Sequence, residues 1–223
     1  MTNKFSYDGL FTEKSEDLPI SVVEHAKYDF AVAYPAPETL PMDGLVRALQ
    51  VAVDARGDEI ARQMAYYPHV KGSPELREFT SYKLDSYRGF KVNPDDIVLT
   101  NGSGEAIQLI IHAITEPGDT VITEQYVYGG TFNQLKKAQA NIVGTPVDDQ
   151  GIIPNLLEEL IMQLIKKNRK PKYLYSIPEH QNPMGPTLSL ERKKKILEIL
   201  NKYSMPVIED ECYVDLRFTG QVQ

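Results

Sequence analysis

The chain has 223 residues, of which 42% are hydrophobic and 25% charged, a composition typical of a globular protein with one sizeable core. Its formal net charge of -7 argues against a nucleic-acid partner, because phosphate binding needs clustered Lys and Arg. A single cysteine, Cys212, excludes an internal disulfide and a thiolate zinc site and favours a reducing compartment. Residues 1–19 are acidic, unlike a signal peptide, and no run of about 18 apolar residues occurs, so we expect a cytoplasmic protein with no membrane partner.

The N-terminal region is predicted to be an arm that packs on something else. Residues 1–41 contain four prolines and show no sustained hydrophobic period. A helix is expected after Asp43, and a second helix from Ser73, a favourable N-cap, to about Tyr87. We therefore divide the chain into an arm and one domain, 42–223.

From residue 92 onward, short apolar runs alternate with helical patterns. The strand candidates are 97–99, 121–122, 142–143, 173–177 and 207–208, and the helix candidates are about 104–115, 129–139, 154–167 and 189–203. Strands that alternate with helices of this length predict an α/β fold with three layers, in which a mostly parallel sheet is covered on both faces. In such sheets ligands bind where the strands end at their carboxyl edge.

Two strand ends carry groups that suit a cofactor. The turn 100–107 contains glycines and opens a helix, so its amides and the Ser103 hydroxyl would hold a phosphate. The alternative is that the glycine turn is only a tight connection between a strand and a helix. It is not a P-loop, because no Gly-Lys-Ser or Gly-Lys-Thr follows. After the next strand come Tyr126 and Tyr128, and either ring could stack on a planar cofactor or pack on the following helix.

The two later strand ends carry an amide and carboxylates. Asn182 precedes Pro183 in the loop 178–187, where a cis peptide bond is possible and would aim the amide inward; a plain connecting loop is the alternative. Glu209 and Asp210 are adjacent in a strand and point to opposite faces, so at most one of them faces the site. A buried carboxylate is costly without a partner, and a ligand with a ring N-H⁺ would supply one.

These four loops, in this order, resemble those of the fold-type I pyridoxal-phosphate enzymes, the class I and II aminotransferase family. Residues 100–106 are similar to the family's phosphate turn and Tyr128 to its ring-stacking aromatic. Residues 181–185 are similar to its Asn-Pro-x-Gly loop, and Asp210 with Tyr213 to its Asp-x-x-Tyr pair. The stretch after Val207, together with the N-terminal arm, resembles most the aminoadipate, kynurenine and aromatic aminotransferase group. The resemblance covers about residues 30 to 220 and therefore the N-terminal part of the family's chain.

The resemblance implies pyridoxal 5'-phosphate as cofactor and a role for each residue around its ring. Asp210 would pair with the pyridine nitrogen and keep the ring protonated, so that the ring accepts electrons from the alpha carbon of the substrate. Asn182 and Tyr213 would hydrogen-bond the phenolic oxygen of the ring. Tyr128 would stack on the face of the ring.

The resemblance also implies how the phosphate is held. Ser103 and the amides of Gly104 and Glu105 would bind it, and Tyr67 would reach the phosphate of the neighbouring subunit in a homodimer. Glu105 stands where the group often has a glutamine, so we expect its carboxylate to point away from the phosphate. The resemblance implies no metal.

The implied reaction is the transfer of an amino group from an amino acid to a 2-oxo acid. The family's Schiff-base lysine lies on a later strand and has no counterpart here, since the last lysine is Lys202. The arginine of the family's small domain, which binds the substrate carboxylate, has no counterpart either. We therefore expect 42–223 to be a PLP-transferase large domain that is incomplete at its C-terminus, without the later strands and the small domain. The strand at 97–99 would then have unpaired edges. The expectation is a fragment of low stability with little activity alone.

Other functions stay open from the sequence. Another fold-type I pyridoxal-phosphate enzyme, such as a lyase, a decarboxylase or a regulator that borrows the fold, would use the same cofactor contacts. A catalytically inactive remnant or binding module is the second alternative. A methyltransferase that uses a nucleotide methyl donor shares the glycine turn and the Asn-Pro loop. In such an enzyme an acidic residue that contacts the ribose should end the strand after the glycine turn, but in this chain Glu124 at that place is followed by aromatic residues.

Overall fold

The computed structural model describes Lys27 and residues 35–216, which belong to two compact units that divide between Tyr66 and Tyr67. The first unit contains a short 3-10 turn, Pro37–Thr39, and the helix α1, Met42–Ala65, which leaves helical geometry at Arg56. No residue of α1 is buried. Most of the predicted arm lies outside the described residues, so its boundary with the domain stays a prediction.

The second unit has an α/β fold. Its helices are α2 (Pro74–Arg88), α3 (Ser103–Ile114), α4 (Gly129–Lys137), α5 (Pro154–Lys166) and α6 (Leu190–Lys202), and its strands are β1 (Thr120–Glu124), β2 (Asn141–Thr145), β3 (Val147–Asp148), β4 (Gly151–Ile152), β5 (Pro171–Ser176) and β6 (Val207–Glu209). The strands β2-β1-β5-β6 form a parallel sheet in this order, and β3 and β4 pair as a small antiparallel hairpin. The predicted α/β class with a mostly parallel sheet is confirmed, whereas the hairpin was not predicted.

The parallel sheet separates two apolar clusters. Alternate residues of a strand point to opposite faces, so Tyr173 and Tyr175 pack against α3 and α4 while Leu174 packs against α5 and α6. The same alternation places Val121 on the first face and Ile122 on the second. This burial on both faces fixes the register of each strand and therefore the position of the residues at its carboxyl end. Among the described residues, no helix combines the length and the apolar character needed to cross a membrane.

The prediction of a strand at 97–99 is wrong for the part of the chain that the structure describes. Ile97 has extended backbone angles, but Leu99 N donates to Lys71 O at 3.0 Å and no described strand pairs with the segment. Gly72, with φ +86°, makes this approach possible, because an added Cβ would lie 2.7 Å from Leu99 Cβ. An apolar run becomes a strand only when a neighbouring strand supplies the ladder of hydrogen bonds.

The helix α2 begins and ends where its capping residues predict. Ser73 Oγ accepts a hydrogen bond from Leu76 N at 3.3 Å, and Gly89 closes the helix in the left-handed conformation. At the end of α2, the Arg88 guanidinium binds both carboxylate oxygens of Glu211, with Nη2 to Oε1 at 2.7 Å. This ion pair ties α2 to the segment that follows β6.

Candidate functional site

Asp210 is a buried acid at the carboxyl end of the sheet. Its backbone N donates to Ser176 O at 2.9 Å, which continues the pairing of β5 with β6, and the residue is only 8% exposed. Tyr175 Oη donates to Asp210 Oδ2 at 2.8 Å. Of these two carboxylates, Asp210 is buried and bonds to Tyr175, and Glu209 is exposed. Both residues nevertheless line the cavity between α3 and the end of β6, so the prediction that at most one of them faces the site is not confirmed.

Tyr175 connects Asp210 to a helix. Thr131 Oγ1, in α4, donates to Tyr175 Oη at 2.9 Å, and both side chains are essentially inaccessible to solvent. Burial raises the pKa of Tyr175 far above its ordinary value, and the charge of Asp210 raises it further, so the phenol stays protonated and remains a donor. Sequence reasoning missed Tyr175; the available signal was a pair of tyrosines on one face of a buried strand, each with a hydroxyl that needs a partner.

A cavity of about 320 Å³ lies between α3 and the end of β6. Its lining includes Ser103, Ala106, Ile107, Ile110, Ile208, Glu209, Asp210, Glu211 and Cys212. Two residues predicted from separate motifs, Ser103 and Asp210, therefore come together around one space with partly apolar walls. The combination suits a ligand that has an apolar ring and two polar ends.

The turn before α3 presents the N-terminal end of a twelve-residue helix, where backbone N-H groups attract anions. Ser103 is the first helical residue, and Gly102, with φ +82°, precedes it. That the Glu105 carboxylate points away from a bound phosphate stays a prediction, but the carboxylate does lie against the turn. Glu105 Oε2 accepts a hydrogen bond from Asn101 N at 2.5 Å. The free amide of the turn binds this carboxylate for the same reason that it would bind another anion.

The peptide bond between Asn182 and Pro183 is cis, as the sequence allowed. Asn182 Nδ2 donates to Tyr213 Oη at 3.2 Å. Tyr213 is partly buried and packs against the apolar cluster that contains Tyr175. The loop after β5 and the segment after β6 therefore meet through two of the predicted site residues.

Glu124, the last residue of β1, is a second buried carboxylate, 2% exposed. Its Oε1 accepts from Ser176 Oγ at 2.7 Å and from Ile177 N at 3.1 Å, and its Oε2 accepts from Gln181 Nε2 at 2.9 Å. Burial raises the pKa of Glu124, the three hydrogen bonds oppose this shift, and the charge of Asp210 adds to it. Sequence reasoning did not identify Glu124 or Gln181, because a carboxylate at a strand end gives no sign of which donors surround it.

Of the predicted cofactor-binding residues, Ser103 and Asp210 line the described cavity, whereas Gly104, Glu105, Asn182, Tyr213, Tyr128 and Tyr67 do not. Tyr128 is the N-cap of α4 and is 43% exposed, and its ring lies close to Gly130. Tyr67 is fully exposed. Neither side chain is among those that line the described cavity, so the stacking role of Tyr128 and the role of Tyr67 across a dimer stay predictions.

The family model for aminotransferase class I and II matches residues 40–222. The aromatic-amino-acid aminotransferase 1 of Thermococcus litoralis is 29% identical, and the match covers 96% of this chain and 52% of that protein. The mitochondrial kynurenine/alpha-aminoadipate aminotransferase of Bos taurus is 28% identical over 94% of this chain and 51% of its own length. The chain thus spans about half the length of the curated relatives it matches, which confirms the resemblance and its restriction to the N-terminal part.

Solved structures agree with the sequence comparisons. The kynurenine aminotransferase of Pyrococcus horikoshii, solved in complex with PMP, KYN as substrates and KYA as products, has a TM-score of 0.83 and 29% identity to this chain. The match covers 96% of this chain and 54% of that structure. The arrangement of strands and helices around Asp210 is therefore similar to that of an aminotransferase.

Proposed function

We propose that this chain, which belongs to the class I and II aminotransferase family, holds the ring and the phosphate of pyridoxal 5'-phosphate for amino-group transfer from an amino acid to a 2-oxo acid. The observation that carries the proposal is the buried carboxylate of Asp210, which receives the Tyr175 hydroxyl and lies on the same cavity as the N-terminus of α3. The pyridine N-H⁺ and the phosphate of this cofactor match these two features in charge.

The residues of the cavity fit the cofactor. The Ser103 hydroxyl and the amides of Gly104 and Glu105, at the positive end of α3, would hold the phosphate. The side chains of Ile107 and Ile208 would contact the ring and exclude water, which strengthens the electrostatic interaction at Asp210.

When bound, the cofactor supplies an electron sink for the bond broken at the substrate's alpha carbon. Asp210 would keep the proton on the ring nitrogen, because an adjacent anion favours the charged form of that nitrogen. Tyr175 donates to Asp210 and fixes the orientation of the carboxylate. Asn182 and Tyr213 are already in contact with each other and would hydrogen-bond the phenolic oxygen of the ring.

The names of the relatives suggest the substrate class. Since the matched proteins include aromatic and kynurenine/alpha-aminoadipate aminotransferases, we propose a large amino acid, aromatic or with a long acidic side chain, as amino donor. We further propose that the whole protein acts in the cytoplasm as a homodimer in which the exposed Tyr67 reaches the partner's phosphate. No lysine lines the cavity among residues 35–216, so we expect this chain to bind the cofactor without covalent attachment.

The proposal is tested by titrating the 223-residue chain with pyridoxamine 5'-phosphate in a calorimeter. We expect saturable binding at one molecule per chain, and binding at least about ten-fold weaker in Asp210→Asn, which keeps the shape but removes the charge. Asp85→Asn, on the exposed surface of α2, is the matched control and should bind like the wild type. Absence of binding by the wild type, or equal affinity in Asp210→Asn, would contradict the proposal.

A further inference from the structure

We propose that Glu124 is a positioning residue that sets the place of Asn182 against the phenolic oxygen of the cofactor, an inference that rests on the proposed function. Glu124 itself does not line the cavity next to Asp210. It acts through Gln181, the residue immediately before Asn182 in the chain. The two carboxylates therefore have separate tasks, since Asp210 would contact the ring and Glu124 holds the loop.

The hydrogen bonds of Gln181 show how the loop is held. Gln181 Nε2 donates both to Glu124 Oε2 at 2.9 Å and to Tyr126 O at 2.6 Å. Its Oε1 accepts from Met184 N at 2.8 Å, and its backbone N donates to Pro186 O at 2.9 Å. Gln181 thus links the end of β1 to both sides of the turn that contains Asn182.

The charge of Glu124 determines which way the Gln181 amide faces. A carboxylate accepts at both oxygens, so it can receive Ser176 and Ile177 on one oxygen and Gln181 on the other. In Glu124→Gln one of these oxygens becomes an NH₂ group that opposes a donor. If Gln181 flipped its amide in response, its NH₂ group would face the Met184 N-H, and two donors within the turn would then lack an acceptor.

Other hydrogen bonds of the loop do not involve Asn182: Gly185 N donates to Gln181 O at 2.5 Å, His180 N to Thr187 Oγ1 at 3.1 Å and Leu188 N to Pro178 O at 2.8 Å. Asn182 itself donates to Tyr213 Oη at 3.2 Å, a longer and weaker bond than those of Gln181. Loss of the Glu124 contact should therefore displace Asn182 while leaving β1 and β5 paired, because the ladder between these strands does not involve the side chains. The expected defect is local and specific to what Asn182 touches.

The test compares two ligands of the 223-residue chain, pyridoxamine 5'-phosphate and its 3-deoxy analogue, which lacks the phenolic oxygen. In Glu124→Gln we expect the affinity for the first to fall at least about ten-fold and that for the second to stay within about two-fold of wild type. Hydrogen exchange of the peptide 177–186 should accelerate, while exchange in β1 stays unchanged. Glu198→Gln, on the exposed face of α6, is the matched control and should change neither quantity.

Gln181→Met serves as the second variant, because it keeps Glu124 but removes the linking amide, and it decides the question if Glu124→Gln does not fold. Equal loss of affinity for the two ligands would show a merely structural role and overturn the inference. So would wild-type affinity for pyridoxamine 5'-phosphate in folded Glu124→Gln. If the wild type bound neither ligand, the proposed function would fail and this inference with it, which is distinct from both preceding outcomes.

Discussion

The Tyr175 hydroxyl offers the sharpest test of the buried network beside Asp210. Tyr175→Phe removes one oxygen and keeps the aromatic ring in the core, so no large cavity forms. The hydroxyl donates to Asp210 Oδ2 at 2.8 Å and accepts from Thr131 Oγ1 at 2.9 Å. Thr131 is inaccessible to solvent, so it cannot turn to bulk water in the variant, whereas Asp210 loses its buried donor and keeps only the side that borders the cavity.

The expected cost follows from the two lost hydrogen bonds. A hydrogen bond to a charged group contributes about 1.5–3 kcal/mol and a neutral one about 0.5–1.5 kcal/mol, so Tyr175→Phe should lower the free energy of unfolding by about 2–4 kcal/mol. Tyr173→Phe is the matched control, because Tyr173 lies on the same face of β5 and, within the described part of the chain, its hydroxyl bonds to the neutral Thr115 Oγ1, at 2.9 Å, rather than to a charged group. It should cost about 1 kcal/mol.

Urea unfolding followed by circular dichroism at neutral pH measures both variants. The midpoint should fall more in Tyr175→Phe than in Tyr173→Phe, with an unchanged dependence on urea, because the surface exposed on unfolding is the same. Equal losses in the two variants would refute the special role of the Asp210 contact. A loss below about 0.5 kcal/mol in Tyr175→Phe would refute the network itself.

Three further outcomes are expected. Arg88→Ala, which breaks the bidentate contact with the partly buried Glu211, should cost about 1–2 kcal/mol in urea unfolding, whereas Lys83→Ala, which breaks a single exposed ion pair, should cost less than about 0.5 kcal/mol. Glu105→Gln should bind pyridoxamine 5'-phosphate about three-fold more tightly, with unchanged affinity for unphosphorylated pyridoxamine, because an anion leaves the phosphate turn. Burial raises the pKa of Glu124, so its contribution to stability is present at low pH and is lost as the pH rises through the raised pKa; unfolding measured across this range should show this fall in the wild type and not in Glu124→Gln.

The fold could be predicted because hydrophobic periods are local in sequence. The helices α2 to α6 and the strands of the parallel sheet each contain enough residues to show their period and their caps. The hairpin of β3 and β4 has two residues in each strand, which is too short to show a period. The run 97–99 shows the reverse case, in which a strand-like pattern lacks a neighbouring strand among the described residues.

The candidate site could be predicted only where the type of a residue and its place in the sequence indicate its chemical role. The glycine turn before Ser103, the pair Asn182-Pro183 and the acid at Asp210 are such residues, and each lies at a strand end or a helix start. Tyr175 and Glu124 are different, because their importance comes from partners that are 35 and 57 residues away in sequence. Sequence periodicity predicts that these positions are buried, but not which donor meets which acceptor.

The electrostatics of Glu124 and Asp210, two of the buried acids, connect the site with its ligand. Glu124 ends β1 and Asp210 follows β6, with β5 between these strands, and both carboxylates accept hydrogen bonds from neutral groups. Besides burial, the charge of Asp210 raises the pKa of Glu124. Burying two like charges is costly without a cation. A protonated ring nitrogen against Asp210 would lower that cost for both acids, so the charges that orient the cofactor would also favour its binding.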